Sequence, residues 1–182
     1  SDPGKTDTFE ARAVVFDGSE DYRSRINDPA LKIDESCILV MRGAGPIAWP
    51  GSAEVVNMQP PDQLIKDGVD SLPTLGDGRQ SGTSGSPSIL NASPEAAEGG
   101  GLAWLKDGDI IRIDLNTGQC NALVSEEEIA RRKQDLAYTL RDSETPWQAI
   151  YRASVTQLGD GAILKGTDSF RDVASRLPRH NH

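Results

Sequence analysis

The apolar positions of this chain fall in short clusters rather than long stripes, which predicts a sheet-rich fold with brief helices. Ala11-Arg12-Ala13-Val14-Val15-Phe16 reads as a first strand, ended by Asp17-Gly18. Cys37 to Met41 is an unbroken apolar run and reads as a central strand. Leu72–Leu75, Pro87–Ala92, Leu102–Leu105, Asp109–Leu115 and Cys120–Val124 read as further strands, and Asn116-Thr117-Gly118 is a hairpin turn signal.

Between them the helix signals are local. Ser19 caps a short helix to Ile26, and Asp28-Pro29 ends it. A helical turn spans Gln63 to Asp67, and Ser93-Pro94-Glu95-Ala96-Ala97 opens another, with Pro94 at its first position. Gly99-Gly100-Gly101 then reads as a simple turn. Ser125-Glu126-Glu127-Glu128 is a capping box for a helix to about Gln134. A last helix starts near Thr145-Pro146 and runs to about Gln157, with Trp147, Ile150, Tyr151, Val155 and Leu158 on one face. Residues 1–9 and the basic tail 171–182 are expected to be disordered or linker-like. The pattern predicts an α/β fold: a compact barrel-like β core with flanking helices, in residues 10–170.

Composition narrows the function. A chain of 182 residues makes one ordinary domain, with 36% hydrophobic and 5% aromatic content implying an aliphatic core. The net charge of −9 argues against nucleic acid or an anionic membrane as partner. No apolar run is long enough for a membrane span. The start lacks the features of a signal peptide and does not begin with Met, so the chain reads as excised from something longer. Cys37 and Cys120 stand far apart, and both histidines, His180 and His182, lie in the last three residues. That set builds no zinc or iron–sulfur site alone, and a reduced cytoplasmic setting fits.

Candidate chemistry concentrates in Gly76-Asp77-Gly78-Arg79-Gln80-Ser81-Gly82-Thr83-Ser84-Gly85-Ser86, a glycine- and hydroxyl-rich loop between apolar runs. Glycine permits close approach of backbone to a ligand. The P-loop, the dinucleotide fingerprint and the nucleophile elbow all fail to match it. A second such segment, Arg42 to Glu54, ends on a carboxylate.

Four ordered motifs carry a resemblance: Gly43-Ala44-Gly45-Pro46 with Pro50-Gly51-x-x-Glu54, Gly76-Asp77-Gly78-Arg79-x-Ser81-Gly82-Thr83, Ser93-Pro94-Glu95-Ala96-Ala97-x-Gly99-Gly100, and Asp107-Gly108-Asp109. Over roughly residues 10–135 the chain resembles the C-terminal domain of the dihydroxy-acid and phosphogluconate dehydratases, and most of all the sugar-acid, xylonate-type branch. It departs from the family at Gln80, where Met is usual, and at Ser52-Ala53, where Met-Pro is usual. The resemblance implies a swivelling β/β/α domain of a larger hydro-lyase that turns a 2,3-dihydroxy acid into a 2-keto-3-deoxy acid. It implies an iron–sulfur cluster and Mg²⁺ in the full-length enzyme, with cluster cysteines upstream and no cofactor held tightly by this chain alone. Glu54 corresponds to a magnesium ligand and Ser81 to the serine proposed as an alkoxide base. Arg79, Asp77, Gly82 and Thr83 would position substrate or loop, Arg79 alternatively pairing with Asp77. The implied partners are the protein's own N-terminal domain, a small sugar acid and further copies in a homo-oligomer. A stand-alone binding module for an anionic sugar, and a purely structural interface domain, are the rival readings.

Overall fold

The computed structural model describes residues 7–82, 85–136 and 138–170. Six strands form one mixed sheet in the order β4-β3-β2-β1-β5-β6. They are β1 (Thr8–Asp17), β2 (Cys37–Arg42), β3 (Thr74–Gly76), β4 (Ser88–Ile89), β5 (Ile110–Asp114) and β6 (Gln119–Ala122). The strands β1 to β4 run parallel, with Val14 beside Leu39 and Val40 beside Leu75. The β1–β5–β6 side is antiparallel, with Ala11 opposite Ile111. The sheet curls into a half-barrel flanked by helices. Its edges are β4 and β6, so the barrel-like core expected from the sequence takes the form of a half-barrel.

Period-2 alternation sorts the core into two layers. From β1 and β2, Ala13, Val15, Ile38 and Val40 face one layer, while Val14, Phe16, Leu39 and Met41 face the other. All four apolar residues Ile38 to Met41 are fully buried, as a central parallel strand requires. The first layer is closed by α3 (Gly101–Trp104) through Leu102 and Ala103. The second is closed by Ile26 after α1 (Gly18–Arg25) and by Val56, Met58 and Leu72. Around them stand α2 (Asp62–Lys66), α4 (Glu126–Gln134) and α5 (Pro146–Ser154).

Several expectations need correction. Thr8 and Phe9 are paired in β1, so the segment 1–9 is not wholly a disordered linker. The run Leu102–Leu105 is not a strand but the helical turn α3 and its exit. Four apolar residues in a row show no period, and here they plug one end of a layer. The turn after Ser93-Pro94 is a 3-10 turn, Ala96–Glu98, beginning beyond Pro94. The glycine triplet is more than a turn: a Cβ on Gly100 would stand 1.6 Å from the Pro94 carbonyl oxygen. Ser125 Oγ accepts the Glu128 N–H at 3.3 Å, but the Glu128 carboxylate turns to Arg131 and Arg132. The reciprocal box forms instead at Thr145 and Gln148, ahead of α5. That helix stops at Ser154, short of Gln157.

Candidate functional site

The two glycine-rich segments leave the same ends of neighbouring parallel strands, β2 and β3, and meet. Asp77, the first residue after β3, is fully buried and turns its carboxylate back onto the other segment. It accepts the Gly43 N–H at 3.1 Å, the Ala44 N–H at 3.0 Å and, from the third motif, the Ala96 N–H at 3.0 Å. Burial pushes its carboxyl pKa up, and the three N–H donors pull it back. Arg79 does not pair with Asp77. Its Nη2 donates to the Ser52 carbonyl at 2.7 Å, and Ser52 Oγ donates to the Ala44 carbonyl at 2.9 Å.

A second buried carboxylate, Glu95, grips the same turn from the opposite side. Its oxygens accept the Ile47 N–H at 3.0 and 3.2 Å, the Ala48 N–H at 2.9 Å and the Gln157 side-chain amide at 2.9 Å. Gly45 leaves it room, since a Cβ there would lie 2.4 Å from Glu95 Oε2. From α5, Arg152 donates to the Ile47 carbonyl at 2.7 Å and to the Ala48 carbonyl at 3.3 Å. The turn 43–48 is therefore lined on its inner side by protein carboxylates. Its N–H groups at 43, 44, 47 and 48 are filled and are not open to an outside anion.

Two glycines of the second loop, Gly76 and Gly78, let the two loops pack closely. A Cβ on Gly76 would stand 2.7 Å from Val56 Cγ2, and one on Gly78 2.6 Å from the Ala44 Cβ. A Cβ on Gly82, expected as a positioning residue, would meet nothing within 4 Å among the described residues. Thr83 lies outside the described residues.

Glu54 and Ser81 sit on segments that run side by side, because the Val56 N–H donates to the Arg79 carbonyl at 3.2 Å. Glu54 is exposed and Ser81 half-buried. Flanking that contact, Asn57 Oδ1 and Gln80 Oε1 are buried acceptors with no hydrogen-bond partner among the described residues. An unmet buried acceptor costs about 1–3 kcal/mol, so these two amides mark a place short of donors. Sequence reading placed no role on Asn57, Glu95 or Tyr138. The Tyr138 hydroxyl stands 2.6 Å from where a Gly43 Cβ would be, and burial, with Asp77, Asp17 and Glu95 nearby, pushes its pKa up to about 12. Only the Ser-Pro-Glu motif could have singled out Glu95 in advance.

The arrangement offers one hard-oxygen ligand and one hydroxyl on adjoining loops. Among the described residues no three His, Cys, Asp or Glu come together as a metal-binding group. Nor is any helix among them long and apolar enough to cross a membrane.

The chain is similar to part of several known proteins. The family described as dihydroxy-acid/6-phosphogluconate dehydratase C-terminal matches residues 2–162. The D-xylonate dehydratase of Caulobacter vibrioides is 68% identical over 182 residues, 100% of this chain and 31% of that protein. An L-arabinonate dehydratase of Rhizobium leguminosarum is 46% identical over 121 residues, covering 66% of this chain and 21% of its own length. A dihydroxy-acid dehydratase of Clostridium beijerinckii is 42% identical over 156 residues, 85% of this chain and 27% of its own. The chain thus spans about a third or less of each of these relatives.

Proposed function

The chain belongs to the dihydroxy-acid/6-phosphogluconate dehydratase C-terminal family, and from that premise we propose that it is the C-terminal domain, in residues 10–170 with 171–182 as a tail, of a cytoplasmic sugar-acid dehydratase. The reaction is loss of water from an aldonate to give the 2-keto-3-deoxy acid. The observation that carries this reading is the joining of the two loops through Asp77, Arg79 and the Val56–Arg79 bond, which brings Ser81 and Glu54 onto adjacent segments.

The residue types suit that chemistry. Ser81, as alkoxide, takes the proton from C2, the C2–H electron pair forms the C2–C3 double bond, and the C3–O bond breaks; the proton then passes from Ser81 to the departing hydroxide, which leaves as water and restores the alkoxide. The enol so formed tautomerises to the ketone. A serine does this only when a positive environment lowers its pKa. Arg79 is held by Ser52, so its role here is to fix the loop that bears Ser81, and the substrate contact falls to other groups.

The family's implied groups, an iron–sulfur cluster and Mg²⁺, supply Lewis acidity toward the leaving hydroxyl and the C2 oxygen. The described residues do not build either centre. Glu54 provides a single exposed carboxylate where Mg²⁺ takes about six oxygens, and the buried carboxylates Asp77 and Glu95 face backbone N–H groups. The remaining ligands are therefore expected to lie outside the described residues, and the isolated chain is expected to be inactive.

The binding-module reading is disfavoured, because the loop N–H groups that would hold an anionic sugar are filled by Asp77 and Glu95. Incubating the full-length, metal-loaded protein with five-carbon aldonates and following the 2-keto product tests the proposal. An enzyme that leaves every aldonate unchanged overturns it.

A further inference from the structure

Helix α5 wears its apolar side outward. Trp147 is 78% exposed and Ile150 57%. The side facing the protein is largely polar: Gln148 donates to the Pro50 carbonyl at 3.4 Å and Arg152 to the Ile47 carbonyl at 2.7 Å, with only Val155 beyond them fully buried. This inverts the usual surface helix, whose apolar stripe seeks the core. The following turn continues the patch, with Ile163 49% and Leu164 46% exposed. Trp147, Ile150, Leu158 and Leu164 line a groove of about 830 Å³ together with Pro46 and Arg79 of the two site loops.

We propose that this face seats the upstream part of the same full-length polypeptide, through an apolar surface of that part. The inference rests on the reading of the chain as the C-terminal domain of a longer dehydratase. An exposed apolar patch of this kind marks an interaction site, and tryptophan and arginine beside aliphatic residues are the composition of an interface centre. The relative that matches all 182 residues has 69% of its length (100 − 31) with no counterpart here, so an occupant of ample size exists. Residues 171–182 are a poor alternative, since Val173, Ala174 and Leu177 are their only aliphatic side chains beside three arginines. A second copy of the chain would leave the groove's continuity with the site loops without a purpose. Docking of the upstream part there closes both loops, with Ser81 and Glu54, from bulk water.

The test is photocross-linking of the full-length protein with p-benzoylphenylalanine in place of Trp147. The expected product keeps the mass of one chain, and peptide mapping places the link upstream of Ser1. A product of twice the mass means a second copy, a link to residues 171–182 means the tail, and no link at all means a free surface; each overturns the proposal. A full-length Ile150→Asp variant is expected to release this domain to limited proteolysis at least tenfold faster than wild type, and an unchanged rate also contradicts the docking. Neither readout uses turnover, so failure here leaves the aldonate assay standing, and failure of that assay leaves these results intact.

Discussion

Both carboxylate oxygens of Glu95 close on the Ile47 N–H, at 3.0 and 3.2 Å, across 48 positions of sequence. A fully buried acid is tolerable there because Ala48 and Gln157 supply further donors. Glu95→Gln keeps the shape but turns an amide NH₂ toward backbone N–H groups. The expected cost is about 2–4 kcal/mol of unfolding free energy, read by urea denaturation. A loss below about 0.5 kcal/mol, the range of surface substitutions, would show that the grip is incidental.

Two neighbouring glycines should behave differently. Gly99 has φ +76 and open space around its Cβ position, so Gly99→Ala meets only the left-handed penalty of about 1–2 kcal/mol. In Gly100→Ala the new methyl lands on the Pro94 carbonyl, 1.6 Å away, and the backbone has to move. The expected loss is larger, about 3 kcal/mol or more, and Gly100→Ala should be clearly less stable than Gly99→Ala by thermal melting. The reverse order would mean that the Pro94–Glu95 backbone is placed otherwise.

The helix α4 makes a pH prediction. The Arg132 and Arg131 guanidiniums hold the Glu128 carboxyl below its ordinary 4.5. A lowered pKa in the folded state stabilises above the unfolded value and fades as pH falls through the folded one. The melting temperature of Glu128→Gln is therefore expected below wild type at neutral pH. The gap should narrow as the pH drops below 4.5 and then close. A gap that stays constant into strong acid contradicts the ion-pair account.

Much of this fold was legible, and the exceptions have physical causes. Strands β1 and β2 announced themselves by the apolar runs Ala13–Phe16 and Cys37–Met41, which their two-sided burial explains. Helix α5 was visible from Thr145-Pro146, but not its orientation. Its apolar residues could be placed on one face from the spacing, but not which way that face turns; Gln148 and Arg152 take the inner side by bonding loop carbonyls. The α3 turn was read as a strand because Leu-Ala-Trp-Leu is too short to show a period. At the site, the two loops and the positions of Glu54 and Ser81 could be read from motifs. The partners of Asp77, Arg79 and Glu95 could not, since each bond joins residues many positions apart and depends on how β2 and β3 pair.

Glu54 makes a separate prediction on metal binding. In the full-length enzyme Glu54→Gln removes an anionic oxygen ligand, and the Mg²⁺ concentration for half-maximal binding by calorimetry should rise about tenfold or more. An unchanged titration returns Glu54 to an ordinary loop carboxylate.

The account turns on Ser81 as the group that takes the C2 proton. The most direct measurement is kcat of full-length Ser81→Ala on the aldonate that wild type dehydrates, with fold and metal content checked alongside. The account predicts a folded, metal-loaded enzyme whose turnover is lost. A Ser81→Ala enzyme that keeps wild-type kcat would contradict it.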